Sequence, residues 1–579
     1  MKNNSIDLRS IKQKIEKYSS AIILTVIVLL AAYLRFSNLS SLPSSLHDDE
    51  VMNTYIGRFV LENGFDIQGN KFPLIYFNNF GDYPNVLPMY ISGFFTFLFG
   101  VGAFGLRFPV ALIGVFSVIL IHHFSKYLFK SKKIMLLSAL FLAITPWHII
   151  LSRATAEGIT ASFVFITAVF YLIKSIDNKK VTHLLLSVVL FFLTYFLYPG
   201  FRVLTALFLF PIFMFSNNKN WKKGLIGISA CFLLLTLLIS QTDWGKGRYL
   251  QTSLFSSDTI KSRSINYGLG FGENNILAAR LFSNKHILSL REFLRQYSTY
   301  FSPQFLTGEN NIYPQRYHLI EHGVVYWTLL ALIFLTIGYQ LFFPLPKKQM
   351  VSYFNPGKAK YAFLICWLML IAPIPSAITL DEVPNIHRTV VMSFGWALIF
   401  GFCCQYLSES LLKGKRSIFV VCSITTLLFF EFVFFWQYFT NLFYESSFVW
   451  RPEEKKDLVL MILENQNNYD AFILPDNQAL SLNYLFYKKD FSNQYIGKFG
   501  LKWRIETIDN LFFVEHSPGK MVEAAVSQLD DSKVLIVSNL DCSQFHSVLD
   551  DGYISVCKSM YRENLTHSYQ LLELSKEKN

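Results

Sequence analysis

Charge is scarce in this chain. Asp, Glu, Lys and Arg make up 16 % of its 579 residues, against 52 % hydrophobic and 17 % aromatic, where a soluble domain carries about 25 % charged residues. A disordered chain is excluded, and the balance points to a membrane protein. Cysteine is scarce too. Five of the seven (Cys231, Cys366, Cys403, Cys404 and Cys422) sit inside apolar runs without ligand spacing, so neither a disulfide framework nor a structural zinc site is indicated. For Cys542 and Cys557, pairing and two free thiols both stay open. A basic stripe is also missing: Lys and Arg recur in small clusters between apolar runs, which argues against nucleic acid as a partner.

What is present is a repeated apolar pattern. A bilayer core of about 30 Å needs roughly 20 apolar residues in a helix, because lipid offers no partner to unpaired backbone groups. About eleven segments qualify, near 19–36, 105–125, 134–151, 158–174, 181–198, 202–217, 224–240, 323–345, 359–375, 389–408 and 416–437. Basic residues fall on alternate sides of them. Segments 1–18, 126–133, 174–180, 219–223, 347–360 and 413–416 hold 22 Lys and Arg, whereas the short loops on the other side hold six: Arg58, Lys71, Arg107, Arg153, Arg202 and Arg388. Since Lys and Arg mark the cytoplasmic side, the amino terminus is inside. The basic start and apolar run resemble a signal peptide, but the run continues to Phe36 without a cleavage site and reads as an uncleaved helix.

This pattern predicts an α-helical multi-pass protein of the plasma membrane with a small extracytoplasmic α/β domain. Residues 1–18 are cytoplasmic, 19–440 form the membrane part, and 452–579 form the outer domain, whose balance is −5 against +17 for the preceding 450 residues. In the outer domain a helical pattern over Glu453–Glu464 alternates with short apolar runs such as Ala471–Leu474 and Val534–Val537. Two outer segments, 37–104 and 241–322, are long for connectors and are where function is expected. Within the first, Val86–Gly100 is too short to cross. A crossing there would also send 17 of the 22 basic loop residues outside, so it reads as an interfacial helix. Trp147, Trp327, Trp396 and Trp436 near span ends read as belt aromatics.

Directly after the first span comes His47-Asp48-Asp49-Glu50, heading an apolar stripe of Val51, Tyr55, Ile56, Phe59 and Val60. Read locally, Asp48 or Asp49 caps a helix. Asp48 and Asp49 could also hold a divalent cation, although neighbouring helical side chains diverge by about 100°, and metal independence with no cofactor is the expectation.

The first-loop Asp-Glu, Gly69–Leu74, Phe80-Gly81-Asp82-Tyr83-Pro84 and Phe104–Leu112 together resemble GT-C glycosyltransferases of the protein O-mannosyltransferase and aminoarabinose transferase type. Thr145-Pro146-Trp147, Ser152-Arg153-Ala154, Tyr198–Arg202, Tyr300–Pro303 and Pro375-Ser376 to His387-Arg388 continue the resemblance, which spans roughly 19–440 and leaves the tail domain outside. It implies a polyprenyl-phosphate sugar as donor, transfer with inversion on the outer face, and the first-loop Asp next to Glu as base, which here is Asp49. Glu50 and Asp82 complete the implied catalytic set. Asp82 either orients the acceptor or contacts an Arg, or is simply a turn residue. The segment Tyr83–Pro88 departs from the family, which often shows a Lys or Pro-Pro pair there.

A lipid-phosphate leaving group calls for fixed cations, and the planar fork of Arg suits it. Arg153, Arg202 and Arg388, at outer span ends, with His387, are therefore expected to bind the donor phosphate. The alternative is that each anchors its helix by snorkelling. The partners expected are thus a lipid bilayer, the lipid-linked donor and an acceptor the sequence does not identify. A multi-span transporter or flippase is the competing reading, against which stand the lack of an internal repeat and of acids in the spans, Glu431 excepted. A scaffold would not need eleven spans.

Overall fold

The computed structural model describes residues 8–43, 46–78, 83–154, 157–256, 258–270, 275–308, 322–343, 347–380, 383–411, 416–441, 454–476, 480–500, 504–529, 533–549, 553–561 and 567–576. The chain forms two compact units, one of residues 1–37 and 110–441, the other of 38–109 and 442–579. The segment expected as the first outer loop thus folds together with the carboxyl-terminal residues.

The first unit is helical and membrane-embedded. A helix lies under each of the eleven apolar segments, and among the described residues six are long and apolar enough to cross a membrane: Tyr18–Phe36, Ala103–Leu128, Glu157–Asn178, Lys219–Gln241, Ala359–Ala377 and Cys422–Thr440. Others are shorter or broken. The segment 134–151 is two helices, Lys132–Ile144 and Pro146–Leu151, separated at Thr145 (φ −61°, ψ 126°). Pro146 has no N–H for the ladder and disfavours a helical residue before it, so the break is local chemistry. The segment 241–322 is itself largely helical among its described residues, with helices Asp243–Thr252, Asp258–Gly270, Ile276–Phe282, Lys285–Thr299 and Pro303–Leu306.

The second unit carries a six-stranded sheet in the order β2-β3-β1-β4-β6-β5, from β1 (Ala471–Pro475), β2 (Thr507–Ile508), β3 (Leu511–Val514), β4 (Val534–Ser538), β5 (Tyr553–Tyr561) and β6 (His567–Lys576). The central strand β1 runs parallel to β3 and β4 and is buried on both faces, as β4 is, the arrangement of a sheet covered on two sides. Its alternation sorts the cores. Ala471 and Ile473 join Met521, Ala525 and Phe545, whereas Phe472 and Leu474 join Leu458, Ile462 and Phe486 together with Val51, Tyr55 and Phe59 of the helix Asp48–Asn63. The apolar stripe read after Glu50 is therefore the face that packs with the tail domain. Cys542 and Cys557 are joined by a disulfide.

The stretch Val86–Gly100 forms the helix Val86–Phe99. It meets the helix Asp48–Asn63 backbone to backbone: a Cβ on Gly57 would stand 1.8 Å from the Met89 carbonyl oxygen, and one on Gly93 would stand 2.3 Å from the Arg58 nitrogen. Only glycine permits that approach from both sides.

Candidate active site

The acidic turn lies in the second unit. His47, and not Asp48 or Asp49, caps the helix Asp48–Asn63: its Nδ1 accepts from the Asp49 N–H at 3.1 Å, while the His47 N–H donates to Glu50 Oε2 at 3.0 Å, a reciprocal capping box. The three acids then meet different fates. Glu50 is fully buried and bound by a likewise buried Arg107, whose Nε donates to Oε1 and Nη2 to Oε2, both at 3.0 Å. Arg107 Nη1 also donates to the Pro43 carbonyl at 2.8 Å, which ties the chain entering the turn to the acid at its third position. Asp48 receives Lys455 Nζ at 2.8 and 2.6 Å and the Asn483 amide at 3.3 Å. Asp49 has His47 Nδ1 at 3.6 Å, and its side chain is 41 % exposed against 34 % for Asp48 and 0 % for Glu50. Within electrostatic reach, burial and then the charges of Glu50, Asp457 and Asp48, against the opposing pull of Arg107, hold the Tyr487 hydroxyl well above its usual range, so it stays a donor. Asp82 lies outside the described residues.

The cationic residues lie in the first unit, where the scattered motifs converge. Trp147 is fully buried, contrary to its reading as a belt aromatic, because its Nε1 donates to the Ile386 carbonyl at 2.7 Å and its ring meets Phe305 edge-on. The Asn385 N–H donates to the Tyr300 hydroxyl at 2.9 Å, and that hydroxyl bonds Ser376 Oγ. Burial pushes the Tyr300 hydroxyl up to about 12, against the bond to Ser376, so it stays protonated. Asn385 caps the short helix Ile386–Thr389 that carries His387-Arg388. His387 Nε2 accepts from the Gly158 N–H at 2.6 Å, with Glu157 Oε2 at 3.6 Å and the Tyr198 ring 4.9 Å away. That acceptance makes Nδ1 the protonated nitrogen. Arg388 is half-buried, and its Nη1 donates to Thr379 Oγ1.

Arg153 and Arg202 are held differently. Arg153 is fully buried and donates from Nη1 to Leu34 O and from Nη2 to Ser37 O, both at 2.6 Å, closing the carboxyl end of the helix Leu8–Phe36. Arg202 donates from Nε to Tyr195 O at 3.3 Å and lies 3.8 Å over the Trp244 ring. Four residues that sequence reasoning passed over therefore shape these sites: Lys455, Asn483, Tyr487 and Trp244. The first three sit in a domain outside the resemblance, where no local pattern marks them. Among the described residues no three His, Cys, Asp or Glu gather as a metal site.

Residues 82–244 match the family model described as dolichyl-phosphate-mannose-protein mannosyltransferase; the span includes Arg107, Arg153 and Arg202 but neither Asp49 nor His387. No curated protein matches the sequence. In fold, the chain is similar to ArnT from Cupriavidus metallidurans bound to undecaprenyl phosphate, with a TM-score of 0.50 at 12 % identity over 95 % of this chain and 97 % of that one. The oligosaccharyltransferase of Archaeoglobus fulgidus in its apo form gives a TM-score of 0.48 at 12 % identity over 96 % of this chain and 74 % of that one. The likeness in fold to ArnT covers 95 % of this chain and so takes in part of the tail domain. The chain resembles the GT-C glycosyltransferases, in sequence over residues 82–244 and in fold along nearly its whole length.

Proposed function

We propose that the chain transfers a sugar from a polyprenyl-phosphate carrier to an acceptor on the outer face of the membrane, with inversion and with Asp49 as general base. An acceptor oxygen attacks the anomeric carbon, the bond from that carbon to the phosphate oxygen breaks, the acceptor proton passes to Asp49, and lipid monophosphate leaves. One displacement inverts the carbon, and no step needs a bound cation. The observation that carries the assignment is the sorting of the acidic turn: Asp48 is paired with Lys455 and Glu50 with Arg107, while Asp49 has the most exposed carboxylate of the three. A positioned carboxylate of this kind contributes about 10²- to 10⁴-fold.

Glu50 is a positioning residue in this reading, since Arg107 and the His47 N–H occupy both its oxygens. Arg388, with His387 beside it, grips the donor phosphate, while Arg153 and Arg202 hold main-chain carbonyls. Asp82 is proposed as an acceptor-orienting group on the sequence resemblance alone. The amino terminus is cytoplasmic, and the acidic turn and tail domain are outside.

The full chain in vesicles, supplied with polyprenyl phosphates carrying labelled sugars and a membrane extract as acceptor, should release lipid phosphate and label the extract. Asp49→Asn should lower that rate by about 10²- to 10⁴-fold with donor binding retained. Transfer that is indifferent to Asp49→Asn rejects the base, and absence of transfer from every donor rejects the reaction.

A further inference from the structure

We propose that a groove between the helices Ala103–Leu128 and Glu157–Asn178 binds one anionic glycerophospholipid, its headgroup toward the basic loops that follow both helices. The groove encloses about 630 Å³. One wall runs from Phe116 through Leu120 to Lys126, the other from Phe163 through Phe170 to Lys174. These spacings are helical, so each set shares one face. Tyr127 packs on Phe170 with ring centroids 5.8 Å apart, and Lys174 Nζ lies 5.8 Å from the Tyr127 ring, so both walls become cationic at the same end.

Length and charge together select the occupant. The ten steps from Phe116 to Lys126 rise roughly 15 Å at 1.5 Å per residue, which is about half of a 30 Å hydrocarbon core, the depth of one leaflet. An acyl chain fits the aromatic part and a phosphate fits the lysine end. No acid lines the groove. The neighbouring carboxylate, Asp177, is taken by Lys358 and by the Tyr127 and Tyr361 hydroxyls. Lys174 does not extend away into water: its Nζ stands 4.2 Å from the Phe170 ring and 5.6 Å from that of Tyr171, against the groove wall. A partly desolvated ammonium on an aromatic wall, with Lys126 opposite, matches a phosphodiester anion with chains attached. The site is independent of the transfer reaction and of the side on which that reaction occurs.

The test is lipid retention by the full chain, extracted from nanodiscs containing equal phosphatidylglycerol and phosphatidylcholine and weighed intact by mass spectrometry. The wild type should keep one phosphatidylglycerol in preference to phosphatidylcholine. The Lys126→Gln/Lys174→Gln variant should hold it about 25-fold more weakly, from about fivefold per lysine, while Lys126→Arg/Lys174→Arg should retain it. Millimolar inorganic phosphate should not displace it, because the chains supply part of the affinity. The proposal is overturned by equal retention of the two lipids, by loss unchanged between Gln and wild type, by displacement with free phosphate, or by a preference for polyprenyl phosphate over phosphatidylglycerol.

Discussion

Lys455 Nζ stands 2.8 and 2.6 Å from the two carboxylate oxygens of Asp48, a residue 407 positions earlier. A lysine of the tail domain thereby compensates one of two adjacent aspartates. The neighbouring Asp49 lies on the same helix end with a more exposed carboxylate.

The two aspartates should therefore separate on substitution. Asp48→Asn should keep transfer within about tenfold of wild type and lower stability by up to about 1 kcal/mol, the range of partly exposed ion pairs. Asp49→Asn should do the reverse, losing rate and keeping the unfolding midpoint. Paired turnover and thermal-unfolding measurements decide, and an exchange of the two phenotypes would move the base to Asp48.

The Glu50–Arg107 pair should be costly to break from one side. Both members are fully buried with two parallel bonds, so Arg107→Ala leaves an uncompensated buried carboxylate and should destabilise the second unit by about 3–5 kcal/mol. Denaturant unfolding followed in the tail domain checks this; a cost under 1 kcal/mol would mean that the pair does not hold the turn.

Arg153 and Arg388 should differ as Lys variants. Arg153 uses two nitrogens on two carbonyls of one helix end, so Arg153→Lys loses one bond and should lower the melting temperature. Arg388→Lys should lower turnover with little change in melting, through loss of the planar fork. Equal effects of the two substitutions on melting and turnover would remove the distinction.

Acid should weaken the second unit in part through Asp490. Burial pushes its carboxyl up, but hydrogen bonds from the Ser492 side chain and N–H, from Tyr495 and from Lys488 outweigh this and leave it below its ordinary value. A carboxyl depressed in the folded state contributes stability that is present above the unfolded value of about 3.9 and is lost as pH falls through the lower folded value. Asp490→Asn should flatten stability against pH in that window by lowering the stability above it. An unaltered acid limb would place the dependence on another group.

The disulfide offers a check on sidedness. Cys542 and Cys557 close a short loop of separation 15, worth about 3 kcal/mol in the chain-entropy account, and it persists only where the compartment oxidises. Thiol labelling before and after reduction should therefore find the pair oxidised in cells, with a reporter fused after Asn579 active only if it works outside the cytoplasm. Reduced thiols with a cytoplasmically active reporter would invert the topology.

Apolar periodicity and loop charge were enough to locate a helix at every one of the eleven segments, because both are local properties that lipid and translocation read directly. They also marked the first tail helix and the two apolar runs that form β1 and β4. The same reading could not show that Val51, Tyr55 and Phe59 share a core with Leu458 and Phe486, since an amphipathic stripe states that a face is covered and not by what. Resemblance singled out Asp49, and position at outer span ends singled out the arginines. Only the tertiary structure gave Asp48 to Lys455, Glu50 to Arg107 and Arg153 to the end of the first helix. Which charged groups are compensated depends on side chains brought together from distant parts of the chain, and Coulomb attraction and desolvation act over a few ångströms of space, however many residues lie between.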